Sequence, residues 1–235
     1  MAGVPLRSSQ WRSGGDQRIP RPDGWLHGGL GPWVDRVHPL WAADVVAAVA
    51  DRAHCDRPAP DGTHRESAVL VAIADGPEGA EVLLTRRSQA LASHRGEISF
   101  PGGRVDAGET FEQTALREAH EEVALDPAAL ALHGRLDPIS TMVTRSFIVP
   151  VVGALNGRPS LRPAEHEVER ILWVPLGELT RSDTFREEVW NYNDAPRPMF
   201  FFELDDETIW GATARILHQL LRVALGIEGP EPLAL

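Results

Sequence analysis

The stretch from Phe100 to Leu125 constrains this chain more than any other. It opens on Pro101-Gly102-Gly103, where a β-run ending at Phe100-Pro101 must turn sharply, and a second turn at Ala107-Gly108 leads to Thr110-Phe-Glu-Gln113. Threonine followed three residues later by glutamine is a capping box, in which each side chain satisfies a backbone amide that the helix leaves unpaired, so a helix is predicted to start at Phe111. Phe111, Ala115, Ala119 and Val123 recur at every fourth position and make one apolar stripe to bury. Glu118, Glu121 and Glu122 share another face. Three carboxylates so spaced repel by a few tenths of a kcal/mol per exposed pair, and by more when enclosed. A cation is therefore expected among them, and hard carboxylate oxygens suit Mg2+ or Mn2+. On spacing alone, a solvated acidic face is the competing reading.

The neighbouring residues decide between the two. Gly103 is followed after five residues by Glu109, after seven more by Arg117-Glu118-Ala119, then across single-residue gaps by Glu121-Glu122 and Ala124-Leu125. This row resembles the Nudix box, the signature of hydrolases that cleave nucleoside diphosphates linked to another moiety. The resemblance implies an α/β fold, the Nudix-type α/β/α sandwich around a mixed β-sheet. It implies that Glu118, Glu121 and Glu122 hold Mg2+ or Mn2+, with the Gly102 carbonyl as a further ligand. It also implies that Glu118 or a downstream glutamate accepts the proton of the attacking water. Glu109 and Arg117 read as an ion pair tying the loop to the helix, with a large cost on removing either partner if the pair is buried. The departure is Ala124, where the family usually has glycine. A left-handed helix end there costs alanine roughly 1–2 kcal/mol, unless the helix ends differently.

A second pattern, Leu83-Leu-Thr-Arg86-Arg87-Ser88 followed by Gly96 and Phe100-Pro-Gly-Gly103, is similar to the Nudix subgroup that includes coenzyme A diphosphatases. Ile209–Leu217 is similar to the closing helix of that subgroup. The implied substrate is coenzyme A or a derivative, split to 3′,5′-ADP and a phosphopantetheine fragment. Ala92 stands where the subgroup has arginine, and Arg95 from the next turn is the expected replacement. The alternatives are another diphosphate, such as ADP-ribose or a dinucleoside polyphosphate, and a non-catalytic nucleotide-binding module. Retention of Glu109, Arg117 and the three helix glutamates weighs against the module. Arg86, Arg87, Arg95 and Arg104 gather around this segment, and guanidinium forks suit phosphate oxygens. They are the expected substrate-binding residues, with ion pairing to the abundant acids as the bland alternative. His94 falls in the same loop. Glu97 either joins the acidic site or pairs with a neighbour. Downstream, Glu167 or Glu165 is the candidate to complete the metal shell or activate water.

Around this centre, Ser67–Ala74 and Glu81–Arg86 are predicted as a hairpin turning at Asp75-Gly76-Pro77, followed after the helix by strands over 132–139 and 146–155. Pro150 suggests an edge or a bulge. Ile171–Val174 is a further strand, and the polar segment 181–198 reads as a long loop or short helix over the substrate. Met199–Leu204 is the last strand, and Thr208 opens a helix through Leu225, with Gly211, Ala212 and Ala214 letting it lie close on the sheet. Residues 65–226 are expected to form the Nudix domain, 227–235 a loose tail, and 1–64 an N-terminal extension. That extension holds Trp11, Trp25 and Trp33, which are expected to pin an arm onto the domain or onto a second subunit, as in a homodimer. It also holds a helix from Trp41 to about Arg52 and the linker 58–62.

The net charge of −11 argues against a nucleic-acid or anionic-membrane surface, and leaves a small-molecule nucleotide diphosphate as the expected partner. One cysteine, Cys55, excludes an intrachain disulfide. With no apolar run long enough to span a bilayer and no signal-peptide core, a cytoplasmic location is expected.

Overall fold

The computed structural model describes residues 11–33, 40–52, 59, 64–141, 144–192 and 195–227. Cys55, the linker 58–62 apart from Ala59, and the tail beyond Ile227 lie outside the described residues. In chain order the elements are β1 (Leu26–His27), α1 (Ala42–Ala50), β2 (Arg65–Gly76), β3 (Gly79–Arg87), β4 (Ile98–Ser99), β5 (Gly102–Arg104) and α2 (Phe111–Val123). After a 3-10 turn at Pro127–Ala129 come β6 (Leu130–Arg135), β7 (Ile139–Ser140), β8 (Ser146–Leu155), β9 (Val168–Pro175) and the short α3 (Leu176–Leu179). The chain closes with β10 (Phe185–Tyr192), β11 (Ala195–Glu203), β12 (Thr208–Trp210) and α4 (Gly211–Ala224).

The main sheet is mixed. β2 and β8 run parallel, from Arg65 opposite Ser146 to Ile73 opposite Ala154. The other edge of β2 is shared: β3 pairs with residues 73–76, and β5 takes over at Ser67–Val69. β3 then continues away from β2, paired with β9 along one side and with β4 at its end. The Gly102-Gly103 strand thus enters where β3 leaves β2.

Alternation along β2 divides the core. Ala68, Leu70, Ala72 and Ala74 pack with Ala115, Ala119 and Val123 of α2. Val71 and Ile73 face Val45, Val46 and Val49 of α1 and Ile216, Leu217, Leu220 and Leu221 of α4. Burying each such Val, Leu or Ile contributes about 1.5–3 kcal/mol. This is the expected α/β class, a mixed sheet between helices.

A second, four-stranded antiparallel sheet, β1-β10-β11-β12, packs Phe185, Phe200 and Phe202 into the core that α1 and α4 share. Trp33 is fully buried in the same core. The opposite face of this sheet, with Trp190 and Phe201, is covered by Ile19 and Trp25 of the arm. Trp11 donates from its indole nitrogen to the Phe185 carbonyl at 3.3 Å.

Several expectations need correction. The polar segment 181–198 is neither loop nor helix but most of the β10–β11 hairpin, and Trp190 is buried in it. Its Arg186 and Glu188 point inward and pair with each other, so no apolar alternation marks the strand. Thr208–Trp210 is a strand paired with β11, and the helix starts only at Gly211. Gly211 has φ +64° and open space where a Cβ would stand, so it serves the turn into the helix and not close packing. The strand expected over 132–139 is broken, with a register shift between Leu132 and Gly134, β6 ending at Arg135 and only Ile139 falling in β7. Pro150 lies in an interior strand. Its carbonyl accepts the Leu136 N–H at 2.9 Å in the gap between β6 and β7, so the missing proline donor falls where pairing is already interrupted. Among the described residues, no helix is long and apolar enough to cross a membrane.

Candidate active site

The site is built from the start of α2 upward. Thr110 accepts the Gln113 amide at 3.2 Å and the Gln113 side chain accepts the Thr110 amide at 2.8 Å, completing the expected capping box. Glu109, just ahead of the cap, takes both arms of the Arg117 fork at 2.8 and 3.0 Å, together with the Thr114 hydroxyl at 2.8 Å. These donors hold the Glu109 carboxyl down at about 2, the arginine contributing most. A remaining donor of Arg117 reaches the Arg104 carbonyl at 3.2 Å, which joins β5 to the helix. The pair is partly open to solvent, with side chains 27% and 21% exposed, so the full penalty of a buried pair does not apply.

One turn further on, the glutamates diverge in environment. Glu122 is buried, 4% exposed, and its Oε2 has no hydrogen-bond partner among the described residues. Burial pushes its carboxyl up to about 8; the Arg87 guanidinium and the Gly102 amide pull it down, while Glu118 and Glu167 push it further up. Glu118 is half-buried and is also raised, first by desolvation and then by Glu121 and Glu167, against the pull of Arg117 at 2.8 Å. Glu121 lies toward solvent, 56% exposed, with Arg117 at 3.1 Å.

The two glycines make this approach feasible. A Cβ at Gly103 would collide with the Glu118 carboxylate, and one at Gly102 with the backbone of Ala68 and Val69. Only a bare backbone lets β5 sit between β2 and the acidic face of α2.

Glu167 arrives from the far side. The amides of Arg162 and Ala164 donate to the Val123 and Glu122 carbonyls at 3.0 and 2.8 Å, stitching the loop before β9 to the end of α2. The Glu167 carbonyl in turn accepts the Ser88 amide at 2.8 Å. Glu165, two residues earlier, lines a cleft of about 380 Å³ with Ser88, Gln89, Pro163, Val168 and Glu169.

The expected substrate arginines separate. Arg87 lies close enough to Glu122 to lower its pKa, and its buried Nε has no hydrogen-bond partner among the described residues. Arg86, the preceding residue of β3, points to the opposite face. It pairs there with the fully buried Glu207 at 3.0 Å and with Asp16 at 2.9 Å. Arg95 donates to the Leu91 carbonyl within its own loop, and Arg104 is exposed on β5. Glu97 does not join the acidic face but meets His94 at 2.9 Å, a contact that raises the imidazole pKa.

The donor set of Glu118, Glu121, Glu122 and Glu167 is wholly hard oxygen, and a buried carboxylate oxygen without a partner is what a divalent cation would satisfy. Among the described residues, no three acidic, histidine or cysteine side chains converge to ligating distance; Arg117 draws Glu118 and Glu121 toward itself. By donor chemistry the residues fit Mg2+ or Mn2+.

Sequence reasoning missed Thr114 as a support of Glu109 and the Asp16–Arg86–Glu207 connection. The first lies five residues from Glu109, which sits in the loop ahead of the helix, so helical periodicity does not mark the contact. The second spans residues far apart in the chain and has no local signal.

A family model described as the NUDIX domain matches residues 64–193. Nudix hydrolase 22, chloroplastic, of Arabidopsis thaliana is 35% identical over 162 residues, covering 65% of this chain; the chain spans about half that protein's length, 53%. The uncharacterized Nudix hydrolase NudL of Escherichia coli O6:H1 is 35% identical over 159 residues, 67% of this chain and 81% of NudL. Among solved structures, a Nudix hydrolase from M. smegmatis, RenU, aligns with a TM-score of 0.43 at 25% identity, over 49% of this chain and 73% of that one.

Proposed function

The chain belongs to the NUDIX family, and from that premise we propose that it hydrolyses a nucleotide diphosphate linkage with the help of a divalent cation, with coenzyme A or a derivative as substrate. The observation that carries this reading is Glu122, buried with an oxygen that has no partner among the described residues and within electrostatic reach of Glu118 and Glu167. Glu118, Glu121, Glu122 and the Gly102 carbonyl would hold Mg2+ or Mn2+. Such an ion neutralises phosphoryl charge and makes a water more acidic.

The remaining roles fall to the chain's own groups. Arg87 presents its guanidinium to the diphosphate from the end of β3, and exposed Arg104 and Arg95 supply further charge at the rim. Glu167 or Glu118 takes the proton of the attacking water, since both carboxylates border the buried Glu122. Glu109 and Arg117 hold the loop to the helix and so set the direction of Glu118. The Arg86 pairs favour a structural part for that residue.

Ala92, in place of the subgroup arginine, favours a second reading in which another diphosphate such as ADP-ribose is preferred. Initial rates on coenzyme A and dephospho-coenzyme A separate the two. Faster turnover of coenzyme A supports recognition of the 3′-phosphate, whereas equal or slower turnover, with ADP-ribose cleaved best, supports the alternative.

A further inference from the structure

The loop 88–97 between β3 and β4 is closed at its neck. The Arg87 amide donates to the Glu97 carbonyl and the Gly96 amide to the Arg87 carbonyl, both at 3.0 Å. One wall of the 380 Å³ cleft belongs to this loop through Ser88 and Gln89. Within the loop, Gly96 takes φ +66°, and the Gln89 amide packs where its Cβ would be. Gly96 therefore packs directly against a residue of the cleft wall.

A residue distant in sequence holds Gly96 from outside. The Gln17 side-chain amide donates to the Gly96 carbonyl at 3.2 Å and to Glu207 Oε2 at 2.5 Å, and its oxygen accepts the Thr208 amide at 3.1 Å. Both anchors are rigid. Thr208 belongs to β12, and Glu207 is fully buried and held by Arg86 at 3.0 and 3.2 Å. Arg86 in turn sits on the strand that leads into the loop and binds Asp16, the neighbour of Gln17. One knot thus fastens the N-terminal arm, the second sheet and the loop beside Arg87.

We propose that Gln17 is a positioning residue for substrate binding: it fixes the loop 88–97, and through Gly96 and Gln89 the wall of the cleft, without touching the acidic centre. The inference rests on the reading of that centre as a diphosphate hydrolase whose substrate meets Arg87 ahead of this loop and Arg95 within it. Because Gln17 acts on the wall and not on the reacting atoms, its loss weakens binding and spares the chemical step. Losing a hydrogen bond of this kind corresponds to about a threefold to tenfold change in an equilibrium.

The test compares Gln17→Ala and Gln17→Glu with the unmodified chain, using coenzyme A and ADP-ribose as probes, with amide hydrogen exchange of residues 88–97 as a readout independent of activity. Gln17→Glu keeps the acceptor for Thr208, loses both donated bonds and places a second carboxylate against Glu207, so it should behave at least as badly as alanine. The expected result is a KM raised about threefold to tenfold with kcat within about twofold, and faster exchange at Arg87 and Gly96. Unchanged KM and unchanged exchange overturn the proposal, as does an equal fall in kcat and melting temperature with KM constant, which marks a merely structural contact. If neither probe is cleaved by the unmodified chain, it is the hydrolase reading that fails. Exchange then still decides whether Gln17 holds the loop.

Discussion

At Ala124 the backbone takes φ 55° and ψ 34°, a left-handed conformation in which the β-carbon crowds the following carbonyl. Its amide still closes the helix onto the Ala119 and His120 carbonyls, so the end of α2 keeps its shape at the expense of local strain. Ala124→Gly should relieve about 1–2 kcal/mol of that strain and return part of it as unfolded-chain entropy, for a net gain of about 0.5–1 kcal/mol in urea unfolding. A loss of stability would show that the strain is absent. Arg117→Lys is expected to lower turnover with the fold intact, because an ammonium cannot keep both Glu109 oxygens, the Arg104 carbonyl and Glu118 at once. Steady-state rates beside a circular dichroism spectrum check this, and wild-type turnover would remove Arg117 from the site. The common face of the helix glutamates was legible in sequence because the helix sets their spacing, whereas the Glu109–Arg117 contact, with Glu109 ahead of the helix, was expected from the family resemblance. The partners of Arg86 were not, since Glu207 and Asp16 lie at 121 and 70 residues' separation.

Among the elements, α2 is fastened to β6 by a pair that motif reading did not single out. Arg135 forks onto Glu112 at 2.6 and 2.9 Å and lies over the Phe111 ring. The arginine lowers the Glu112 pKa below its ordinary 4.5, against a smaller opposing effect of burial. The sign follows from linkage: a depressed carboxyl contributes stability that is present above about pH 4.5 and lost as pH falls through its lower folded value. With both side chains about one-third exposed, the contribution is about 0.5–1 kcal/mol. Urea unfolding of wild type and Glu112→Gln should therefore differ by that amount at pH 6 and converge toward pH 3. A difference that stays constant would contradict the assignment. The α2 start, α1 and the β2–β3 hairpin were readable because capping and apolar runs are local signals. The β10–β11 hairpin was hidden because its inward residues include Arg186 and Glu188, whose charges are answered by each other, by Glu203 and by Arg21.

Over the whole molecule, two sheets share one apolar interior, and the N-terminal segment belongs to it. Trp33 stacks near Phe202 and meets Phe185 edge-on, at 6.2 and 4.9 Å between ring centroids. Trp33→Ala should cost about 3–5 kcal/mol in chemical denaturation, as for other large buried rings, while a near-wild-type midpoint would separate this segment from the core. Nothing in the sequence placed these partners together, because Trp33 and Phe202 lie far apart in the chain. That sheet leaves α2, β5 and the loop before β9 to form the acidic centre on the far side of the main sheet. The central claim is that this centre hydrolyses a diphosphate with a divalent cation seated at Glu122. The most direct measurement is the cleavage rate of coenzyme A, dephospho-coenzyme A, ADP-ribose and diadenosine tetraphosphate by wild type and Glu122→Gln, with Mg2+ or Mn2+ and with chelator. The account predicts cleavage that needs the metal and falls by about two to three orders of magnitude in the variant, the scale of losing one preorganised charged group. Cleavage that persists in chelator, or that survives undiminished in Glu122→Gln, would contradict it.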